Sequence, residues 1–324
     1  MIILICIFSI TACATFSIET LFVTKLKWTK ESGVRIDIGD YSYIGVGYPE
    51  IVTLNDGSYR MYFTAYEKMY SNYRILSAIS VDGINWTKET GVRINNDTSF
   101  DSHYAYAPDV IKLANGTYRM YYTGYNGYYY HILSAVSADG LVWKKEPGIR
   151  IEYKGVYLPQ SITTGDVIAL SDGSYRMYYS EPGASPYYPT GYKGGPHIVS
   201  ATSPDGLIWT KEKGVRIDYG VYYDKLYAAN PKIISMPNGI YRMFYTGFDG
   251  TKYYLLSAVS ANGLKWRKEK GEIIAAGGQN ESDSGLSTPL CIQVPNGAYR
   301  VYYSGYDGQN YRILSALSDS LIYR

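Results

Sequence analysis

Asn115-Gly116-Thr117-Tyr118-Arg119-Met120-Tyr121-Tyr122-Thr123 decides the architecture of this chain, because close copies place a Tyr-Arg pair at Tyr59, Tyr175, Tyr241 and Tyr299 as well. A glycine stands two residues before each pair, at Gly57, Gly116, Gly173, Gly239 and Gly297, and each copy runs on through aromatic residues to a Thr or Ser. The steps between pairs are 59, 57, 66 and 58 residues. Self-similarity at this period marks a repeat architecture, in which one unit buries its apolar face against the next.

One full unit occupies residues 107–151. Residues 108–113 are apolar and β-branched, Asn115-Gly116 turns the chain, and residues 118–123 alternate as a second strand. Ile132-Leu133-Ser134-Ala135-Val136-Ser137 supplies a third, and Asp139-Gly140 a second tight turn. Trp143-Lys144-Lys145-Glu146 with Gly148-Ile149-Arg150-Ile151 then reads as a bulged fourth strand. Four antiparallel strands with no helical periodicity describe a propeller blade. The Leu-Ser-Ala of the third strand recurs at Leu76, Leu256 and Leu314, and the later turn leads to Trp86, Trp143, Trp209 and Trp266.

Trp28-Thr29-Lys30-Glu31-Ser32-Gly33-Val34-Arg35-Ile36 is a fourth strand with no first three before it, whereas the last copy stops at Ser318, where its fourth strand should begin. The two fragments complement each other. The expected fold is therefore all-β: a five-bladed β-propeller with four antiparallel strands per blade, closed when the N-terminal strand completes the last blade. An open solenoid would need caps instead.

Lys and Arg number 31 against 29 Asp and Glu, without a basic stripe, so nucleic acid is not an expected partner. The 39 tyrosines give apolar faces with hydroxyl tips, suited to strands and to sugar surfaces. Residues 1–14 are apolar but too short to span a bilayer as a helix, which needs about 20 residues. They read as a leader over residues 1–20, ahead of one propeller domain over 21–324, and the protein is expected to be exported. Ile10-Thr11-Ala12-Cys13 resembles a lipoprotein box, which implies a lipid anchor at Cys13; the alternative is a buried N-terminal strand. After cleavage only Cys291 and a lipidated Cys13 would remain, so no intrachain disulfide is expected. No His or Cys spacing fits a metal site, no cofactor is expected, and a monomer is.

Repeated positions build the frame, so function is sought where the copies disagree. Ten residues before each Tyr-Arg pair stand Pro49, Pro108, Gly165, Pro231 and Pro289, and the next residues are Glu50, Asp109, Asp166, Lys232 and Leu290. Glu50, Asp109 and Asp166 are the candidate catalytic residues, since converging carboxylates raise one another's pKa and a neighbouring Lys lowers it, the split that glycosidic acid/base chemistry requires. The competing reading is a water-filled channel whose acids are solvated or hold a cation. The loops feeding these strands are rich in Tyr and Asp, and Tyr48, His103, Tyr106, Glu181, Tyr227, Asn230 and Lys232 are the candidate sugar contacts. Loop tyrosines that merely pack over the ring are the alternative. The third repeat has the longest excursion, residues 181–197, which could wall a pocket. Arg60, Arg119, Arg176, Arg242 and Arg300 recur in every copy and are expected to pair with turn Asp side chains or backbone carbonyls.

Asp172-Gly173-Ser174-Tyr175-Arg176-Met177-Tyr178-Tyr179, the turn Ser137-Ala138-Asp139-Gly140-Leu141-Val142-Trp143, and Ala107-Pro108-Asp109-Val110 resemble the arabinanase, levansucrase and invertase superfamily of glycosidase propellers. The resemblance covers about residues 25 to 324 and rests on frame motifs. It implies hydrolysis or transfer of glycosyl units through carboxylates at the channel mouth, hence an O-glycosyl hydrolase acting on a carbohydrate. That family places an Asp immediately before the first inner-strand Pro, where this chain has Tyr48, and further acids where it has Thr164 and Asn230. Two readings stand: a sugar-active enzyme using Glu50, Asp109 and Asp166, or a noncatalytic propeller that binds glycan or protein.

Overall fold

The computed structural model describes residues 26–68, 71–153, 162–183, 195–220, 222–236, 239–278, 281–282 and 285–319. The expected leader, Cys13, Tyr157, Asp283 and the 184–194 part of the third repeat's excursion lie outside the described residues. Within them the chain is strand and turn, apart from a short 3-10 turn at Tyr222–Asp224. Two repeats form separate four-stranded antiparallel sheets. One runs Thr163–Ala169, Tyr175–Pro182, Pro196–Ser203, Thr210–Lys211; the other runs Tyr227–Ser235, Tyr241–Phe248, Tyr253–Ser260, Arg267–Lys268. The remaining repeats keep the same strand order and are joined edge to edge by single parallel pairs, Gly45 with Tyr311 and Tyr73 with Tyr104. This is the sheet arrangement of a propeller.

The N-terminal strand Trp28–Lys30 pairs antiparallel with Tyr311–Ser318, Trp28 opposite Ser318, as the split repeat predicts. Glu31 follows it into a two-pronged ion pair with Arg300, at 2.8 and 2.9 Å, and accepts a hydrogen bond from Ser315 Oγ.

Second strands are buried on both faces, which explains why they are so alike. In Tyr118–Tyr125, Met120, Tyr121 and Tyr122 have no exposure. Tyr121 points to the next repeat and donates to the Gly206 carbonyl at 2.8 Å, while Tyr122 points the other way and donates to Asp101 Oδ2 at 3.0 Å. Tyr62, Tyr178 and Tyr302 repeat the first contact on Gly140, Gly263 and Gly83. A buried phenol with its hydroxyl paired gives a large apolar contact and fixes register between sheets.

The recurring arginines take backbone carbonyls as expected, but their carboxylate partners are not the turn Asp residues. Arg60, Arg119, Arg176, Arg242 and Arg300 hold Glu89, Glu146, Glu212, Glu269 and Glu31, the glutamate three residues after each Trp. Backbone carbonyls are the second partner, as with Arg60 Nη1 to Asp139 O at 2.9 Å. Turn carboxylates are engaged inside their own turns: Asp82 Oδ1 accepts from the Ile84 and Asn85 amides at 2.8 Å. A side chain so short satisfies local amides before it can reach a neighbouring sheet. Glu31→Ala is expected to lower stability by about 1–2 kcal/mol by stranding a mostly buried guanidinium. A drop in urea midpoint, with an unchanged denaturant slope, is the readout.

Candidate functional site

A bulge shapes the start of every first strand. The ladder to the second strand shifts register between Gly47 and Glu50, Tyr106 and Asp109, Thr164 and Asp166, Ala229 and Lys232, and Ser287 and Leu290. Tyr48, Ala107, Asn230 and Thr288, each just before a proline, have φ of 51°, 52°, 56° and 51°. For Tyr, Ala and Thr this left-handed backbone costs on the order of 1–3 kcal/mol each. Five hydroxyls hold it in place. The bulge amides of Tyr48, Ala107, Thr164, Asn230 and Thr288 donate to Ser304, Thr64, Thr123, Ser180 and Thr246 of the neighbouring repeat, at 2.9 to 3.3 Å. These acceptors are the Thr or Ser that ends each Tyr-Arg run.

Below the bulges, Glu50, Asp109 and Asp166, found by counting back from the Tyr-Arg pairs, converge as expected on Lys232. Its Nζ lies 2.6 Å from Glu50 Oε2, 2.8 Å from Asp109 Oδ1 and 3.6 Å from Asp166 Oδ1. Each acid also accepts a backbone amide from the next repeat. Asp109 Oδ2 takes Val167 N at 3.0 Å, Asp166 Oδ2 takes Ile233 N at 3.1 Å, and Glu50 takes Val110 N. Leu290, at the fifth position, is buried and apolar.

Three acids around one ammonium leave surplus negative charge. Burial pushes the Glu50 carboxyl up to about 7, Lys232 pulling against it and Asp109 adding to it. Burial and then Asp109 hold Asp166 well above the usual carboxylate range. Burial alone would depress Lys232, but Asp109, Glu50 and Asp166 outweigh it and hold the ammonium charged.

The cluster is mostly buried, with side-chain exposures of 10% for Lys232, 8% for Glu50, 3% for Asp109 and 13% for Asp166. The bulge residues and Pro49, Pro108, Gly165, Pro231 and Pro289 form a collar around a recess of about 10 Å³, at the threshold for one water molecule. Lys232 lines that recess, and none of the three acids does. In this structure the three acids meet a lysine and backbone amides.

Above the collar, sharing Tyr48, Asn230 and Thr288 with the recess, opens a cleft of about 460 Å³. Its size is that of a small-ligand site. One wall is Tyr227, Phe248 and Tyr253, with Phe248 stacked on Tyr253 at 4.4 Å between centroids. The opposite wall is Tyr66, Tyr306 and Tyr311. Asn230, Thr251, Ser287, Thr288 and Ser304 add amide and hydroxyl groups, and among the described lining residues there is no charged side chain.

The sequence-derived sugar contacts divide accordingly. Tyr48, Tyr227 and Asn230 line the cleft. Tyr106 stands one ring behind, edge-on to Tyr48 at 5.5 Å. His103 is exposed beside Tyr104 and Tyr125, away from the cleft. Glu181 pairs with Lys211 and lies 3.6 Å from His197 Nε2, also outside it. Lys232 lies beneath the collar. Sequence reading missed Tyr66, Phe248, Tyr306 and Tyr311 because they recur at the ends of second strands and starts of third strands, and recurrence argued for frame. For Tyr66, Phe248 and Tyr306 the signal was the aromatic residue seven places after each Tyr of the Tyr-Arg pair in four copies; Tyr311 has no such mark.

The sheet arrangement is that of a β-propeller, and comparison with known proteins makes it glycoside hydrolase-like. Residues 48–213 match glycoside hydrolase family 130, described as beta-1,4-mannooligosaccharide phosphorylase, and the chain belongs to that family. It is 28% identical over 214 residues to the uncharacterized protein Rv1502 of Mycobacterium tuberculosis, a match spanning 60% of this chain and 65% of that relative. Among solved structures, one concerning family 130 hydrolases that target beta-1,2 mannosidic linkages in Candida mannan superposes with a TM-score of 0.70 at 18% identity, covering 92% of this chain and 95% of that one. A thermostable family-43 glycoside hydrolase gives 0.68 at 18%, covering 89% and 93%. The endo-arabinase of Bacteroides thetaiotaomicron gives 0.62 at 16%, covering 88% and 96%. At these identities the structures speak for the fold.

Proposed function

We propose that this chain is a glycan-binding propeller of the family 130 fold that recognises carbohydrate in the aromatic cleft without cleaving it. One observation carries the reading: the cleft is open and has no described carboxylate in its lining, while Glu50, Asp109 and Asp166 are locked around Lys232 beneath a collar that admits about one water. Two-carboxylate chemistry needs both groups facing the glycosidic bond, one of them with room for water or for attack. Facing aromatic walls with hydroxyls and an amide at the floor suit the two faces and the edge of a pyranose ring. The family's manno-oligosaccharides are the first class to test.

The frame that presents the cleft is a closed ring of five blades in a single domain. The bulge bonds support this, since they link each repeat to the one before it and then join Tyr48 of the first to Ser304 of the last. Export under the leader of residues 1–20, free or anchored at Cys13, and action as a monomer complete the proposal, and both fit a protein that meets glycans outside the cell.

A second reading keeps catalysis, favoured by family membership and by the Glu50 carboxyl, whose value near 7 suits a proton donor. Binding and product release from plant and microbial polysaccharides, β-mannans included, separate the two when wild type is run beside Asp109→Asn. Binding without turnover, unchanged within a few-fold in the variant, is the expected result. Turnover that Asp109→Asn abolishes would establish the second reading instead.

A further inference from the structure

We propose that the cleft contains a slot for one flat aromatic ring, stacked on Tyr306 and faced by Tyr253, and that its ligand is a sugar bearing an aryl group. The slot stands on a comparison of the repeats; that a sugar carries the ring rests on the proposed function. In the second repeat three tyrosines form a stack, Tyr104 on Tyr125 at 5.0 Å and Tyr125 on Tyr130 at 4.2 Å between centroids. The fifth repeat has the last two of these, Tyr306 beside Tyr311 at 4.7 Å. Tyr125 and Tyr306 hold the same pose, since each donates its hydroxyl to the carbonyl of the glycine two residues on, at 2.8 Å. Where Tyr104 stands opposite Tyr125, the fifth repeat has Gly285, whose carbonyl accepts from the Tyr306 amide at 3.0 Å. The stack is therefore one ring short, and the vacant place opens into the cleft, whose lining includes Gly285, Tyr306 and Tyr253.

Neighbouring joints show what such a place can hold. Between the first and second repeats Tyr73 stacks on Tyr104 at 4.3 Å, and the two residues pair in parallel, so the Tyr104 phenol is stacked on two rings. Between the fifth and first repeats the place again carries a glycine, Gly45, but there the strands close on each other. Gly45 pairs with Tyr311, and a Cβ on it would lie 2.7 Å from that of Tyr311. Between the fourth and fifth repeats the sheets stay separate. Tyr253, which opposes Phe248 as Tyr73 opposes Tyr66, is left 37% exposed. A flat ring entering this joint regains the stacking that Tyr104 has, and meets flat walls over its whole area, which a puckered pyranose does not. The hydroxyls of Thr251 and Ser287 in the same lining are left for the sugar that carries it.

Titration of the full chain with phenyl, cyclohexyl and methyl β-D-mannopyranosides, and with p-cresol, tests this by calorimetry and ligand-observed NMR. The phenyl glycoside is expected to bind about tenfold tighter than the methyl one, and severalfold tighter than the cyclohexyl one, which has as many carbons but no flat face. p-Cresol, the tyrosine side chain alone, is expected to bind and to be displaced by the phenyl glycoside. Tyr253→Leu and Tyr306→Leu, which keep apolar bulk, should each cut the phenyl preference to within about twofold. Tyr253 is exposed at a strand start, so its variant gives the answer even where Tyr306→Leu does not fold. Equal binding of phenyl and methyl glycosides, a cyclohexyl glycoside that matches the phenyl one, or an unchanged phenyl preference in folded Tyr253→Leu would overturn the aryl slot and leave glycan binding standing. Binding of p-cresol while every glycan in the wider screen fails would keep the slot and reject the proposed function.

Discussion

Lys232→Met is expected to be the most damaging single substitution, lowering unfolding free energy by about 3–5 kcal/mol at neutral pH. The methionine fits the volume, so the loss is electrostatic. Wild-type Nζ faces Glu50, Asp109 and Asp166 at 2.6, 2.8 and 3.6 Å, with all four side chains largely buried. Removing the ammonium leaves three acids without a counter-charge, so any that stays ionised is unpaired where water scarcely reaches, and any that takes up a proton does so at a cost in stability. The acids' remaining partners are single backbone amides, which cannot supply a full charge. Denaturant unfolding gives the number, and pH supplies a second signature: the variant should recover stability on acidification as the stranded carboxyls take up protons. Adding Glu50→Gln and Asp109→Asn should restore much of it at neutral pH, because uncharged amides need no counter-ion. A single variant as stable as wild type would show that the ammonium is not the hub of these strands.

Much of the frame was legible because the repeats serve as their own alignment. Trp28 without its first three strands located the pairing with Tyr311–Ser318. Counting back from each Tyr-Arg pair found all four members of the buried cluster. What that count could not supply was depth. A proline whose preceding residue turns left-handed folds the chain inward by one bulge, so that Glu50 and Asp109 fall below the collar while Tyr48, Asn230 and Thr288 face the cleft. Nothing in Tyr48-Pro49-Glu50 alone announces that, since a residue before proline ordinarily stays extended. The terminal Thr or Ser of each run was visible but had no assigned task until the bulge amides found it.

The assumption that repeated residues are only frame also failed in one place. Tyr66, Phe248 and Tyr306 recur because their position pairs rings across the second and third strands of one sheet, with Tyr73, Tyr253 and Tyr311, and all three also form cleft walls. Tyr125, at the same position in the second repeat, instead stacks on Tyr104 and Tyr130 at 5.0 and 4.2 Å. Equivalent residues become wall or filler according to what the adjoining loop leaves uncovered. That choice depends on loop conformation, which the strand pattern does not encode.

The same cluster should make the protein more stable in mild acid than in mild base, by about 3 kcal/mol from Glu50 alone. Burial raises its carboxyl from 4.5 in the unfolded chain to about 7 in the fold, Lys232 only partly offsetting the effect. The folded state therefore holds the proton more tightly. That contribution is complete below pH 4.5 and is lost as pH rises through about 7. Asp166, raised for the same reason, adds a slope of the same sign. Turn carboxylates such as Asp82 and Asp139, held low by backbone amides, act oppositely, and their protonation weakens the fold once pH falls below the ordinary carboxylate range. Stability should accordingly peak near pH 5. Glu50→Gln isolates the first effect because glutamine resembles the protonated acid at every pH. Its stability relative to wild type should climb across pH 5 to 8 by the amount that wild type loses, and a difference that stays flat over that range would place the shared proton elsewhere in the cluster.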